Sequence, residues 1–164
     1  MKESSLGLRA VVLLLASLAL ATGVHAQQPV LYGSPIPLEK AKLVAAAAVA
    51  EAQKNGWLMA VTVVDPSGEL IFFEKMDGTQ FGSIDVSIAK ARSAALFKRP
   101  TKAFEDAVAG GGAGLRTLKV PGAMPVEGGV PLVENGKIIG AVGVSGGQPP
   151  QDGQCANAGA ALVH

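Results

Sequence analysis

The dipeptide Asn135-Gly136 constrains this chain more than any other feature of its sequence. It stands between two segments that read as strands, Val130 to Glu134 and Lys137 to Val144. A two-residue hairpin turn needs positive φ at both central residues, which Asn and Gly tolerate, and it joins antiparallel neighbours. A second hairpin is written at Asp65-Pro66-Ser67-Gly68, where Asp first, Pro second and Gly fourth spell a type I turn. This turn joins WLMAVTVV, Trp57 to Val64, to ELIFFE. The first of these is apolar almost throughout and rich in β-branched residues, as a strand covered on both faces should be. Gly140 and Gly143 inside the last strand predict a bulge or the close approach of another backbone.

Helical patterns fill the intervals. Pro37 suits a first helical turn, and Asn55-Gly56 stops the segment LEKAKLVAAAAVAEAQKNG. Its apolar stripe, Leu38, Ala41, Ala45, Ala48, Val49 and Ala52, is mostly alanine and allows close packing. Ser83 or Asp85 is placed to cap a second helix with the stripe Ile84, Ile88, Ala91 and Ala95, ending at Arg99-Pro100. Thr101 is placed to cap a short third helix with Phe104 and Val108 facing inward. The stretch AGGGAGL that follows holds too many glycines for a helix. The tail places Asp152, Cys155, Ala156 and Gly159 at helical steps, as a closing helix. Two hairpins among helices predict an α+β domain: an antiparallel sheet of four to five strands with helices packed on its faces.

The first residues read as a leader. Lys2 and Arg9 precede the apolar run Ala10 to Ala21, and Val24 and Ala26 form a small-x-small cleavage site before Gln27. A run this short falls below the roughly 20 residues of a bilayer span. The expected organisation is a signal peptide over 1–26, an extended arm over 27–37 and one domain over 38–164, in the periplasm or secreted. Lys and Arg number 14 against 13 Asp and Glu. Lys2, Arg9 and Glu3 leave with the leader, so the remainder is balanced, which argues against nucleic acid and anionic membranes as partners. His25 leaves too, and only the terminal His164 stays. His-based zinc sites and Ser-His-Asp triads are thereby excluded from the body of the domain. Cys155 has no partner for an intrachain disulfide and is expected to be a buried, inert thiol.

Chemistry must then rest on carboxylates, cations, sulfur or backbone. GGGAGL lacks the Gly-Lys-Ser/Thr ending of a phosphate loop and follows a helix, so no nucleotide site is expected. The strand-turn-helix joint Phe72 to Phe97 carries more polar residues than a joint requires. Met76, Asp77 and Gly78 form its turn; Lys90 and Arg92 lie off the expected apolar stripe, toward its edge or solvent. Arg92 would offer a carboxylate ligand a planar two-donor fork. Asp77 or Glu127 would serve as acid or base. Met59 is expected in the core, whereas Met76 and Met124 sit in loops where a thioether can line an apolar pocket. With Thr101 and the loop glycines Gly128 and Gly129, these residues make up the expected ligand site.

Four blocks carry a resemblance: VTVVDPSGELIFFEKMDG, SIDVSIAKARSAALFKRPT, GGVPLVENGKIIGAVGVSGG and QDGQCANAGAAL. In order and spacing they resemble the GlcG/HbpS haem-binding-like family, which includes the C-terminal domain of a cobalamin adenosyltransferase. The resemblance covers about Leu38 to Leu162. It implies an α+β domain, assembly into a homo-oligomer, and a haem or other tetrapyrrole ligand held without established catalysis. Lys90 or Arg92 would face propionates and methionines the ring. The helices Leu38 to Asn55 and Ile84 to Val108 contain no histidine, so an axial ligand would come from Met76, Met124, Cys155, a lysine, Thr101 or His164. A small organic acid bound by Lys90, Arg92 and Asp77, or a purely structural module of an oligomer, are the alternatives.

Overall fold

A computed structural model of the chain describes residues 30–163. The signal peptide expected over 1–26 and the terminal His164 lie outside the described residues.

Strand β5 (Lys137–Ser145) is the hub. On one side it pairs antiparallel with β2 (Ala60–Val64), from Ala60 opposite Ser145 to Val64 opposite Ala141. On the other it pairs antiparallel with β4 (Gly129–Glu134) through the expected turn, where Asn135 and Gly136 take φ of 49° and 72°. Strand β3 (Leu70–Lys75) closes the outer edge against β2. The Asp65–Gly68 turn between them is bonded from Gly68 N–H to Asp65 O at 3.0 Å. Both hairpins therefore stand as the sequence predicts. The arm does more than expected: β1 (Leu31–Tyr32) pairs in parallel with the start of β5, so the five-stranded sheet is mixed, though mainly antiparallel.

Alternation along the strands separates two helical layers. Val61, Val63, Val142 and Val144 share one core with α1 (Leu38–Lys54) and α4 (Pro149–Ala160). Val64 and Ala141 share the other with Ala91, Ala94 and Ala95 of α2 (Gly82–Phe97). Strand β2 is buried on both faces, as its composition predicts. The alanine stripe of α1 lets α4 approach so closely that a Cβ on Gly159 would lie 2.7 Å from the Val44 carbonyl. Leu38 is not part of that stripe; it is 47% exposed. Ile36, tied through its N–H to Ile139 O, fills the core at this end instead, and Val44 completes the stripe.

Helix α2 differs most from expectation. Its N-cap is Phe81, and neither Ser83 nor Asp85 caps it; both lie within the helix. Its inner face is Ser83, Ser87, Lys90, Ala91 and Ala94, whereas Ile84 and Ile88 are only half-buried. Gly143 explains the choice. A Cβ there would sit 2.1 Å from Ser87 O and 2.5 Å from Ala91 N, so the helix backbone rests directly on β5 and only small side chains fit between. Thr62 and Ser87 satisfy each other across this seam at 2.8 Å. Helix α3 (Lys102–Ala109) follows with Phe104 buried and Val108 half-buried. Thr101 stands at its N-cap position, but its side chain makes no cap bond. The glycine-rich stretch is not open loop: Gly112–Lys119 forms a 3-10 helix. It packs on α3 because Gly114 has no Cβ to strike Ala107 O, which would lie 1.8 Å away.

Candidate functional site

Helix α2 carries positive charge on two faces, and its two cationic side chains have different fates. Lys90, expected at the helix edge, points inward and is 1% exposed. Its ammonium donates to Asp152 Oδ2 at 2.6 Å and to the Val144 carbonyl at 3.1 Å. Asp152, in the first turn of α4, accepts the Gly147 N–H on its other oxygen at 2.9 Å. Burial pushes the Lys90 ammonium down and the Asp152 carboxyl up, and their mutual contact opposes both shifts. With both groups hydrogen-bonded on their remaining sides, the geometry supports the ionised pair.

Around this pair the structure gathers other expected site residues, as packing. Gly128, at φ +128°, would place a Cβ 2.6 Å from Val144 O and 2.9 Å from Lys90 Nζ. Gly129 would place one 2.3 Å from Lys90 O. Thr101 is fully buried: its Oγ1 accepts the Gly129 N–H at 2.9 Å while its own N–H donates to Gly129 O. These three residues let the strand start pass over α2, and none of them lines the grooves described below. Glu127 lies beside them, its N–H donating to Glu105 Oε2 at 2.6 Å. Burial pushes its carboxyl up, Lys102 opposes this, and Glu105 and Asp106 reinforce it.

The outer face of α2 presents Ala89, Arg92 and Leu96 to a groove of about 310 Å³ closed by Gly122, Ala123 and Met124. Arg92 and Met124, two expected site residues far apart in sequence, thus meet. The Arg92 guanidinium reaches Glu69 at 3.7 Å, and both side chains are largely exposed. Such a pair contributes little, about 0–1 kcal/mol, so the guanidinium is free to exchange Glu69 for a ligand carboxylate. Gly68 lies against Leu96 and Arg92, which sets the β2–β3 turn beside this groove.

The turn residues do not join the site. Met76 packs against the core, where its sulfur takes the Met59 N–H at 3.4 Å; Met59 is buried, as expected. Asp77 and Gly78 are exposed before α2 begins, with Gly78 at φ +81°, and neither lines the groove. Cys155 is buried in the core shared with α1, as its position on the α4 stripe predicts. Among the described residues no group of three or more His, Cys, Asp and Glu is placed to hold a metal ion. A second groove of about 380 Å³ between Gly33–Pro37 and the Asn135 turn contains none of the expected residues. Asp152, the partner of Lys90, is in sequence only one of the helical steps of the closing helix. An aspartate on a stripe of small core residues is itself the clue, because a buried carboxylate requires a cation.

A mixed sheet between two helical layers, with Arg92 and Met124 lining one groove, defines a class of small α+β domain. The chain belongs to the HbpS-like family, whose model, described as haem degrading protein HbpS-like, matches residues 36–161. Protein GlcG of Escherichia coli K12 is 42% identical over 107 residues, 65% of this chain and 78% of that one. A double mutant of HbpS from Streptomyces reticuli superposes with a TM-score of 0.73 at 32% identity, covering 88% of this chain and 98% of the other. A structure described as a PduOC:heme complex superposes at 0.71 with 26% identity, covering 79% and 96%.

Proposed function

We propose that this chain is an exported binding protein that holds haem, or a tetrapyrrole like it, at the Arg92–Met124 groove. The observation that carries the reading is that Arg92, only weakly engaged by Glu69, and Met124 line the same apolar groove. A haem is a flat apolar ring with carboxylates on one edge and iron at its centre. Arg92 suits a propionate through its planar fork, Ala89, Leu96 and Ala123 suit the ring, and the Met124 sulfur is of a type that ligates haem iron. The bound haem would supply the iron chemistry; the chain's part is to bind and orient it. Lys90 and Thr101, both buried, leave this role, and so do Met76, Asp77 and Gly78. The haem complex of the PduOC neighbour and the description of the family model support the ligand class.

The groove is near the lower end of the roughly 300–1,000 Å³ of ligand pockets, so it would grip one edge of a macrocycle. A homo-oligomer would supply further walls. Exposed Leu96, Leu115, Leu118 and Val120 support such an assembly. The same small volume favours a second reading, a small organic acid held by Arg92. The leader pattern before Gln27 supports export, and the intact mass of the chain recovered outside the cytoplasm should begin at Gln27. A mass retaining Met1 to Ala26 would remove that part of the proposal.

Hemin titration of the mature chain is the test. Saturation at one hemin per chain with a shifted Soret band is expected. Met124→Ala should move the Soret maximum. Arg92→Ala should weaken binding roughly ten-fold or more, since a hydrogen bond to a charged group contributes about 1.5–3 kcal/mol. Absorbance no different from that of an unrelated protein would eliminate haem and leave the organic acid as the reading.

A further inference from the structure

We infer that Ser93 is the positioning residue of this groove, holding the Met124 rim at its distance from Arg92. The inference rests on the groove being the ligand site. Helix α2 alternates outward and inward duties over a few residues: Ala89, Arg92 and Leu96 line the groove, whereas Lys90 and Ser93 are buried. The Ser93 hydroxyl oxygen accepts the backbone N–H of Met124 at 3.0 Å. Among the described residues this is the single hydrogen bond between α2 and the rim, residues 121–124. The rim's other backbone bonds are local, Ala123 N–H to Val120 O and Val126 N–H to Met124 O. Gly122, at φ +82°, turns the chain beside the Phe97 ring, where an added Cβ would lie 3.8 Å from Cε2.

Packing does not demand a hydroxyl at this position. Ala91, Ala94 and Ala95, on the same buried side of the helix, are alanines. What serine adds is an acceptor aimed at one amide, and that amide belongs to the residue offering the thioether. Arg92 is its immediate neighbour in the helix, so one bond sets the separation of the two groups a ligand would meet.

The test is Ser93→Ala in the mature chain, read by hydrogen exchange at the Met124 amide and by hemin titration. Expected are about ten-fold faster exchange at Met124, hemin binding weaker by about ten-fold, a displaced Soret maximum and little change in Tm. A merely structural contact would lower Tm without moving the Soret maximum of the complex, and that pattern would overturn the inference. Unchanged exchange at Met124 would overturn it whatever hemin does. If the wild-type chain takes up no hemin, the functional reading of the groove falls by itself. The Met124 amide then still decides whether Ser93 holds the rim.

Discussion

Replacing Lys90 by methionine is expected to destabilise the protein by about 3–5 kcal/mol. The cause is what the change leaves behind. Asp152 would keep its Gly147 hydrogen bond but lose the ammonium at 2.6 Å, in a place where its side chain is 3% exposed. An uncompensated buried carboxylate must be dehydrated without repayment, or take up a proton. Asp152→Leu alone should cost about as much, because it strands the Lys90 ammonium on the Val144 carbonyl. The double change Lys90→Met with Asp152→Leu should recover most of the loss, and matched apolar replacements are often neutral or stabilising by about 1–4 kcal/mol. Urea midpoints of the four proteins form a double-mutant cycle that isolates the coupling. Additive single losses, with no recovery in the double variant, would show that the two charges do not depend on each other.

That pair also marks the limit of what local sequence pattern encodes. Period-2 alternation and turn chemistry are local properties, so both hairpins, the doubly buried β2 and the small-residue stripe of α4 could be read directly. The orientation of α2 could not. Its apolar weight lies at Ile84 and Ile88, and periodicity places the heaviest residues inward. The actual inner face is set by a glycine 56 positions later than Ser87, because the missing Cβ of Gly143 brings the helix backbone onto the strand. Serine, alanine and the slender stem of lysine fit that seam; isoleucine does not. Once α2 is turned this way, Lys90 becomes structural and its neighbour Arg92 becomes the outward cation. The meeting of Arg92 with Met124 is likewise a tertiary result, made by a loop that Ser93 binds. Strand β1 has no local signature, because two residues carry no pattern and its partner is a strand more than a hundred residues away.

Cys155 sets an alkaline limit on the fold. Its thiol is fully buried against the α1 layer, and burial pushes its pKa up from 9.0 to about 11, with Glu51 and Asp152 adding repulsion to the thiolate. In the unfolded chain the thiol ionises near pH 9; in the native state it stays protonated until about 11. Between these values the native state holds more protons than the unfolded one, so stability falls as pH rises. The contribution is complete below pH 9 and is lost through about 11, a change of about 3 kcal/mol. The native thiol should also resist alkylation by iodoacetamide at pH 8 and react freely in denaturant, since the thiolate is the nucleophile and burial denies access. Thermal unfolding of the wild type and Cys155→Ala between pH 8 and pH 10.5 isolates the term, because every lysine titrates in both proteins. The wild type should lose more of its Tm across that range than the variant. Parallel curves, together with rapid alkylation of the native protein at pH 8, would place the thiol in water and require a different arrangement of α4 on α1.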